Sequence, residues 1–158
     1  MFDTQLPIDT MVIRLSAAVL LSMLLGWERE SKDRPAGIRT HMLVGLGSAA
    51  FFLLAVEFSL GHLKELEDLR PDPTRVFQGI ITGIGFLGAG AIIQRGGNVM
   101  GLTTGAGVWV SGAIGLACGA GYLVLAGLIT AFAFIVLSLM HIVERKYVSS
   151  TDEDRTDN

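Results

Sequence analysis

Charge is almost absent from long runs of this sequence. Between clusters of ionisable residues lie stretches near residues 8–27, 38–60, 76–94, 102–118 and 122–143 that are nearly charge-free. Each is about 17–25 residues long, the length that crosses a hydrocarbon core of roughly 30 Å at about 1.5 Å per residue. Of the 158 residues, 51% are hydrophobic and only 17% charged, where a soluble domain carries about 25% charge. The fold class expected is all-α: a polytopic membrane protein of about five transmembrane helices in one domain over residues 1–147. Five helices leave no room for a second folded domain of ordinary size. Residues 148–158 read as a polar, disordered tail with little to bury.

Several functions are excluded early. A net charge of −3 has no basic excess to suit nucleic acid. A single cysteine, Cys118, cannot form an intrachain disulfide. Met1–Asp9 lacks the basic n-region of a cleaved signal peptide, so the first apolar segment is expected to be a retained helix. No His/Cys/carboxylate set has metal-site spacing, so any metal stays unassigned and no cofactor is expected. No nucleophile-and-base set stands out, so an enzyme is not expected.

The loops set the orientation. Arg29, Lys32, Arg34, Arg39, Arg95, Arg145, Lys146 and Arg155 fall on one side of the five-helix topology; Lys64, Arg70 and Arg75 fall on the other. The richer side is expected to be cytoplasmic. That places the N-terminus in the periplasm and the C-terminus in the cytoplasm of a bacterial inner-membrane protein. Trp27, Tyr122 and Tyr147 fall near helix ends, as an aromatic belt requires.

Glycine is unevenly distributed: 14 of 20 lie between Gly79 and Gly121. In lipid no hydrophobic effect drives helices together, and small residues let their backbones approach. Helices 3 and 4 therefore read as the close-packed pair. At 100° per residue, Gly79, Gly83 and Gly90 share a stripe with Arg75, Thr82, Phe86 and Gln94, while Thr104, Gly107, Ser111, Gly115 and Cys118 share one on helix 4. These stripes are expected to bury against each other, with part of them lining a polar cavity as the alternative. Self-association through a glycine face, giving a homodimer, is a further expectation. Gly83-Ile84-Gly85-Phe86-Leu87-Gly88 matches a dinucleotide-loop pattern, but it sits inside an apolar span without the strand and acidic residue that motif needs, so it reads as helix packing.

Arg14 lies within helix 1. It is expected to snorkel or to pair with Glu57, near the same end of helix 2. At the opposite membrane face gather Glu28, Arg29, Arg39, Thr40, His41, Gln94, Arg95, Asn98, Thr103 and Thr104. Helix 4 begins there, and its free N–H groups favour an anion or a carboxylate, with Glu28 the natural internal partner. A hard cation on Glu28 and Asn98 and a network that merely fixes helix ends are the alternatives.

At these residues the chain resembles the MgtC/SapB family of bacterial inner-membrane proteins. The likeness rests on Leu25-Gly26-Trp27-Glu28-Arg29-Glu30, Ala36-Gly37-Ile38-Arg39-Thr40, the segment from Gly83 to Gly90, Asn98-Val99-Met100-Gly101-Leu102-Thr103-Thr104, and Trp109. It runs from about Arg14 to about Leu139 and concerns the transmembrane domain; virulence members carry a soluble domain after it, while this sequence ends at Asn158. The resemblance implies a role in magnesium homeostasis and, in pathogens, survival in macrophages, exerted by restraining the F-type ATP synthase. The function expected is thus a non-enzymatic membrane regulator acting by protein–protein contact. A transporter or channel for magnesium or another small ion is the runner-up.

Overall fold

A computed structural model describes residues 4–62, 73–95 and 98–153. Five helices account for most of them: α1 (Ile8–Glu30), α2 (Ile38–His62), α3 (Pro73–Gly90), α4 (Leu102–Gly119) and α5 (Leu123–Glu153). Three of these, α1, α2 and α4, are long and apolar enough to cross a membrane, and α5 is apolar from Leu123 to Leu139. The chain is an all-α polytopic membrane protein.

Helix ends follow from local chemistry. Pro73 opens α3, where its missing N–H costs nothing. Glycine closes α4: Gly121 adopts φ 87°, its N–H donates to Cys118 O, and that of Tyr122 donates to Ala117 O. This paired 5→2 and 6→1 pattern ends a helix in a left-handed residue. α1 closes the same way without glycine. Asp33 takes φ 51°, its N–H reaches Glu30 O, and that of Arg34 reaches Arg29 O. The helix therefore passes Trp27, where the sequence suggests a stop, and carries Glu28 and Arg29 on its last turn.

Two boundaries differ further. α3 stops at Gly90 instead of Gln94, and Ile93–Arg95 and Asn98–Met100 pair as antiparallel strands β1 and β2 of a hairpin in place of an irregular loop. In it Ile93 faces Met100, Gln94 faces Val99, and Arg95 faces Asn98. Gly101 makes the return to α4. Its φ is 88°, and a Cβ there would lie 2.1 Å from Ala91 O, so only glycine fits. α5 runs on to Glu153, past the expected end at Val143; of the expected tail, residues 154–158 lie outside the described residues.

The bundle is built around α4, which packs against each of the other four helices. A cluster of Ala18, Leu25, Ala49, Ile114, Ala117, Cys118 and Ala126 joins α1, α2, α4 and α5. A second, of Phe52, Ile80, Ile84 and Val108, joins α2, α3 and α4. Close approach is real at named positions: a Cβ on Gly115 would stand 2.1 Å from Gly45 O, and one on Gly105 2.7 Å from Gly88 O.

The helix 3–helix 4 stripe pairing is corrected by this arrangement. A methyl group added at Gly79, Gly83 or Gly90 would meet nothing within 4 Å. α3 meets α4 through Ile80, Ile84 and Gly88, and Ile84 occupies the notch above Gly112. Gly107, Ser111 and Gly115 are buried, but Gly107 and Gly115 meet His41 and Gly45 of α2. Helical arithmetic sorts residues onto faces, yet it cannot say which faces meet. α4 is central, so it carries small residues on two sides. Gly79 and Gly83 instead line an apolar groove of about 660 Å³ between α2 and α3, with Leu43, Gly47, Phe51 and Leu87.

Candidate functional site

The last turn of α1, the first turns of α2 and α4, and the hairpin converge at one end of the bundle. The register is set by two arginines of α1. Arg29 Nη2 donates to Thr104 Oγ1 at 2.9 Å, near the start of α4; Arg14 Nη1 donates to Gly119 O at 2.9 Å, at its far end. α1 and α4 therefore run antiparallel from the Arg14–Gly119 contact to the Arg29–Thr104 contact. Arg14 is not paired with Glu57, as the sequence suggests. Its guanidinium completes the C-terminal carbonyls of α4, which the helix itself leaves unbonded. Glu57 instead accepts the backbone N–H groups of Gln5 and Leu6 at 2.8 and 2.7 Å.

At the convergent end the polar groups are buried. Glu28 is 5% exposed, Arg29 6%, Thr104 1% and His41 0%. Glu28 forms an ion pair with Lys32, one turn on, rather than serving as the carboxylate at the start of α4. His41 Nδ1 lies 3.0 Å from Gly37 O, so that nitrogen carries the proton and donates. Glu30 Oε2 accepts the N–H of Ile38 at 2.7 Å, capping α2 from the preceding helix. Five buried atoms have no partner among the described residues: Ser22 Oγ, Glu28 Oε2, Arg29 Nε, His41 Nε2 and Ser111 Oγ.

The remaining expected members divide. Arg39, Thr40 and Thr103 lie at this end but are exposed. Gln94 and Asn98 are strand residues of the hairpin, paired with Val99 and Arg95; their side chains lie outside the described residues, as does that of Arg95. Among the described residues no group of three or more His, Cys, Asp or Glu is placed to hold a metal ion.

The family model described as MgtC family matches residues 15–146, a span that reaches all five helices of the bundle. The chain belongs to the MgtC family. Among curated members it is 44% identical over 126 residues to Protein MgtC of Brucella abortus (strain 2308), covering 80% of this chain and 49% of that one. It is 44% identical over 111 residues to Protein MgtC of Salmonella typhimurium, covering 70% and 43%. It is 37% identical over 130 residues to the "Putative magnesium transporter YhiD" of Escherichia coli (strain K12), covering 82% and 60%. The chain thus spans about half the length of the curated relatives it matches. No solved structure matches it.

In this MgtC-family chain, sequence reasoning finds the end of the bundle where polar groups collect but misses the buried Ser22 and the exposed Glu30 that caps α2. Neither Ser22 nor Glu30 stands out as a site residue in the sequence, and His41 alone points to no chemistry. The available signal is position: Ser22 lies about two helical turns before Arg29, and Glu30 about one turn after Gly26, which puts each pair on a shared face of α1. Buried side chains are separated from exposed ones only when the neighbouring helices are in place.

Proposed function

We propose that this chain is a non-enzymatic membrane regulator in magnesium homeostasis that acts through protein–protein contact. The tie to magnesium homeostasis rests on the MgtC-family relatives, one of which is named for magnesium transport. The observation that favours regulation over transport is the packing of α4. Through its C-terminal half its glycines approach neighbouring backbone closely, Gly115 against Gly45 O and Gly119 against Ala49 O. A strongly hydrated divalent ion needs oxygen ligands and retained waters, and the buried layers from mid-depth toward the end of α4 offer Ala18, Ala49, Ile114 and Ala117, with the neutral hydroxyls of Ser22 and Ser111 rather than carboxylates as their buried side-chain oxygens. Glu28, Arg29, His41 and Thr104 are buried together at one end, beside a hairpin whose Ile93, Val99 and Met100 are exposed. That end suits a membrane-embedded partner, and the F-type ATP synthase is the one to test first. We place this end in the cytoplasm of the bacterial inner membrane on the Lys/Arg asymmetry, and propose a homodimer through the open α2–α3 groove.

Two assays run in parallel test the reading. Magnesium uptake into proteoliposomes should be absent, and proton pumping by ATP synthase in membrane vesicles should fall when the protein is present. The second reading, a magnesium transporter, is favoured by the unpartnered buried Glu28 Oε2. Saturable uptake lost in Glu28→Ala, with pumping unaffected, decides for it.

A further inference from the structure

We propose that the N-terminus of α4 and the guanidinium of Arg29 together form a binding site for a phosphate-type oxyanion. Three observations at this place call for negative charge, two of the start of α4 and one of Arg29. First, α4 is an 18-residue helix, and its aligned peptide dipoles put the equivalent of about +0.5 charge at its start. Second, nothing in the helix offsets that charge. Its first turn has no acidic residue, and its N-cap is Gly101, without a side-chain cap. The hydrogen-bond ladder begins with Gly105 N–H donating to Gly101 O at 2.8 Å, so the first-turn amides before it are left to an outside acceptor. Third, the cation Arg29 is placed against this positive end. It is 6% exposed, Nη2 donates to the neutral hydroxyl of Thr104, and Nε has no partner among the described residues.

A buried guanidinium beside the positive end of a helix is unfavourable unless an anion joins them. Its sequence neighbour fills that role only in part: Glu28 Oε1 is paired with Lys32, and the Glu28 charge acts on Arg29 without a hydrogen bond between them. The donors come from two elements, the first-turn amides of α4 and the planar guanidinium of Arg29 on α1. A tetrahedral oxyanion presents oxygens to both, which a single planar carboxylate does less well. The unpartnered Glu28 Oε2 is an acceptor suited to the protonated oxygen of a hydrogenphosphate.

The site is closed on one wall and open on the other. Thr104 and Arg29 are buried, whereas Leu102 and Thr103 are exposed. The start of α4 thus lies next to the surface, while Arg29 Nε and Glu28 Oε2 are themselves buried, so binding requires the Arg29 side chain to turn toward the anion. Lying at an end of the membrane-spanning helices, the site can be reached by free phosphate from water or by a phosphomonoester lipid headgroup from the bilayer. It stands whether the chain regulates a partner or carries an ion.

The test uses the full chain. Binding of radiolabelled inorganic phosphate is measured by equilibrium dialysis in lipid-free detergent. Retention of phosphatidic acid over phosphatidylcholine is measured in nanodiscs containing both. Saturable phosphate binding identifies the free anion as the source; selective retention of phosphatidic acid that excess phosphate does not displace identifies the headgroup. Arg29→Gln should weaken whichever is bound by about 10- to 100-fold, the loss of a charge-assisted donor, while Arg75→Gln leaves it unchanged. If Arg29→Gln does not fold, Arg29→Lys keeps the charge but loses the fork, and about tenfold weakening is expected. Wild-type protein that binds neither probe, or binding by the Arg29 variant equal to wild type, overturns the proposal.

Discussion

Adding a methyl group at Gly115 and at Gly83 should have opposite consequences. On Gly115 a Cβ would sit 2.1 Å from Gly45 O and 2.8 Å from Gly45 Cα. Ordinary contact begins at 3.4 Å, so α2 and α4 must part by about 1.3 Å in an interior that has little slack. The obstacle is backbone, which cannot rotate aside as a side chain does. Overpacking of this kind costs about 1–3 kcal/mol, and a backbone clash belongs at the upper end. On Gly83 the same methyl group meets nothing within 4 Å, and alanine is favoured over glycine in a helix by up to about 1 kcal/mol. At roughly 3 °C per kcal/mol for a chain of this size, Gly115→Ala should lower the detergent-solubilised unfolding temperature by about 6–9 °C, and Gly83→Ala should leave it level or raise it slightly. Fluorescence-detected size-exclusion after heating reads both. A Gly115→Ala protein as stable as wild type, or a loss confined to Gly83→Ala, would show that α4 does not pack on α2 through this glycine.

Arg14→Gln removes the charge-assisted bond to Gly119 O and should cost about 1.5–3 kcal/mol, read as a fall in the same unfolding temperature; no change would mean the α4 carbonyls have another donor. Glu30→Ala deprives the Ile38 N–H of its acceptor and should cost about 1 kcal/mol, as for the loss of a helix cap, whereas Glu30→Gln, which keeps an oxygen acceptor, should cost less. Glu28→Ala and Asn98→Ala are expected to abolish complementation of a deletion strain at low magnesium with expression matched; full growth from both would leave the bundle end as scaffolding. In a Cys118→Ser background, a cysteine at Val99 should resist an impermeant thiol reagent on intact spheroplasts and one at Leu66 should react; the reverse pattern inverts the orientation.

The apolar runs make the helices legible, because a bilayer demands length and allows little else. The position of the polar end is legible too, since Glu28 and Thr103 can only meet at one depth once the helices alternate. Pairing is not. Gly83 and Gly88 look alike in sequence, but Gly88 abuts Gly105 while Gly83 faces open space. Likewise Arg14 and Glu57 stand at one depth and carry opposite charges, yet each is taken by backbone groups, Gly119 O and the amides of Gln5 and Leu6. Unbonded main-chain atoms are abundant at helix ends and compete with side-chain partners, and sequence does not display them. The hairpin is hidden for a related reason: strands as short as Ile93–Arg95 and Asn98–Met100 cannot show a strand period.

The central place of α4 has a consequence for how the protein is made. The most enclosed helix is the fourth to be synthesised, and it is the shortest of the three long apolar spans, with glycine and hydroxyl residues where its neighbours carry leucine. Such a segment gains little from lipid alone, so its lodging in the bilayer depends on surfaces that α1 and α2 have already prepared. Those two helices are latched to each other from both ends, Glu30 holding the start of α2 and Glu57 holding the approach to α1. Biogenesis should therefore proceed by a preformed pair receiving a latecomer, and lesions in the Glu30 or Glu57 latch should appear first as α4 left uninserted during translation, before any loss of activity in the finished protein.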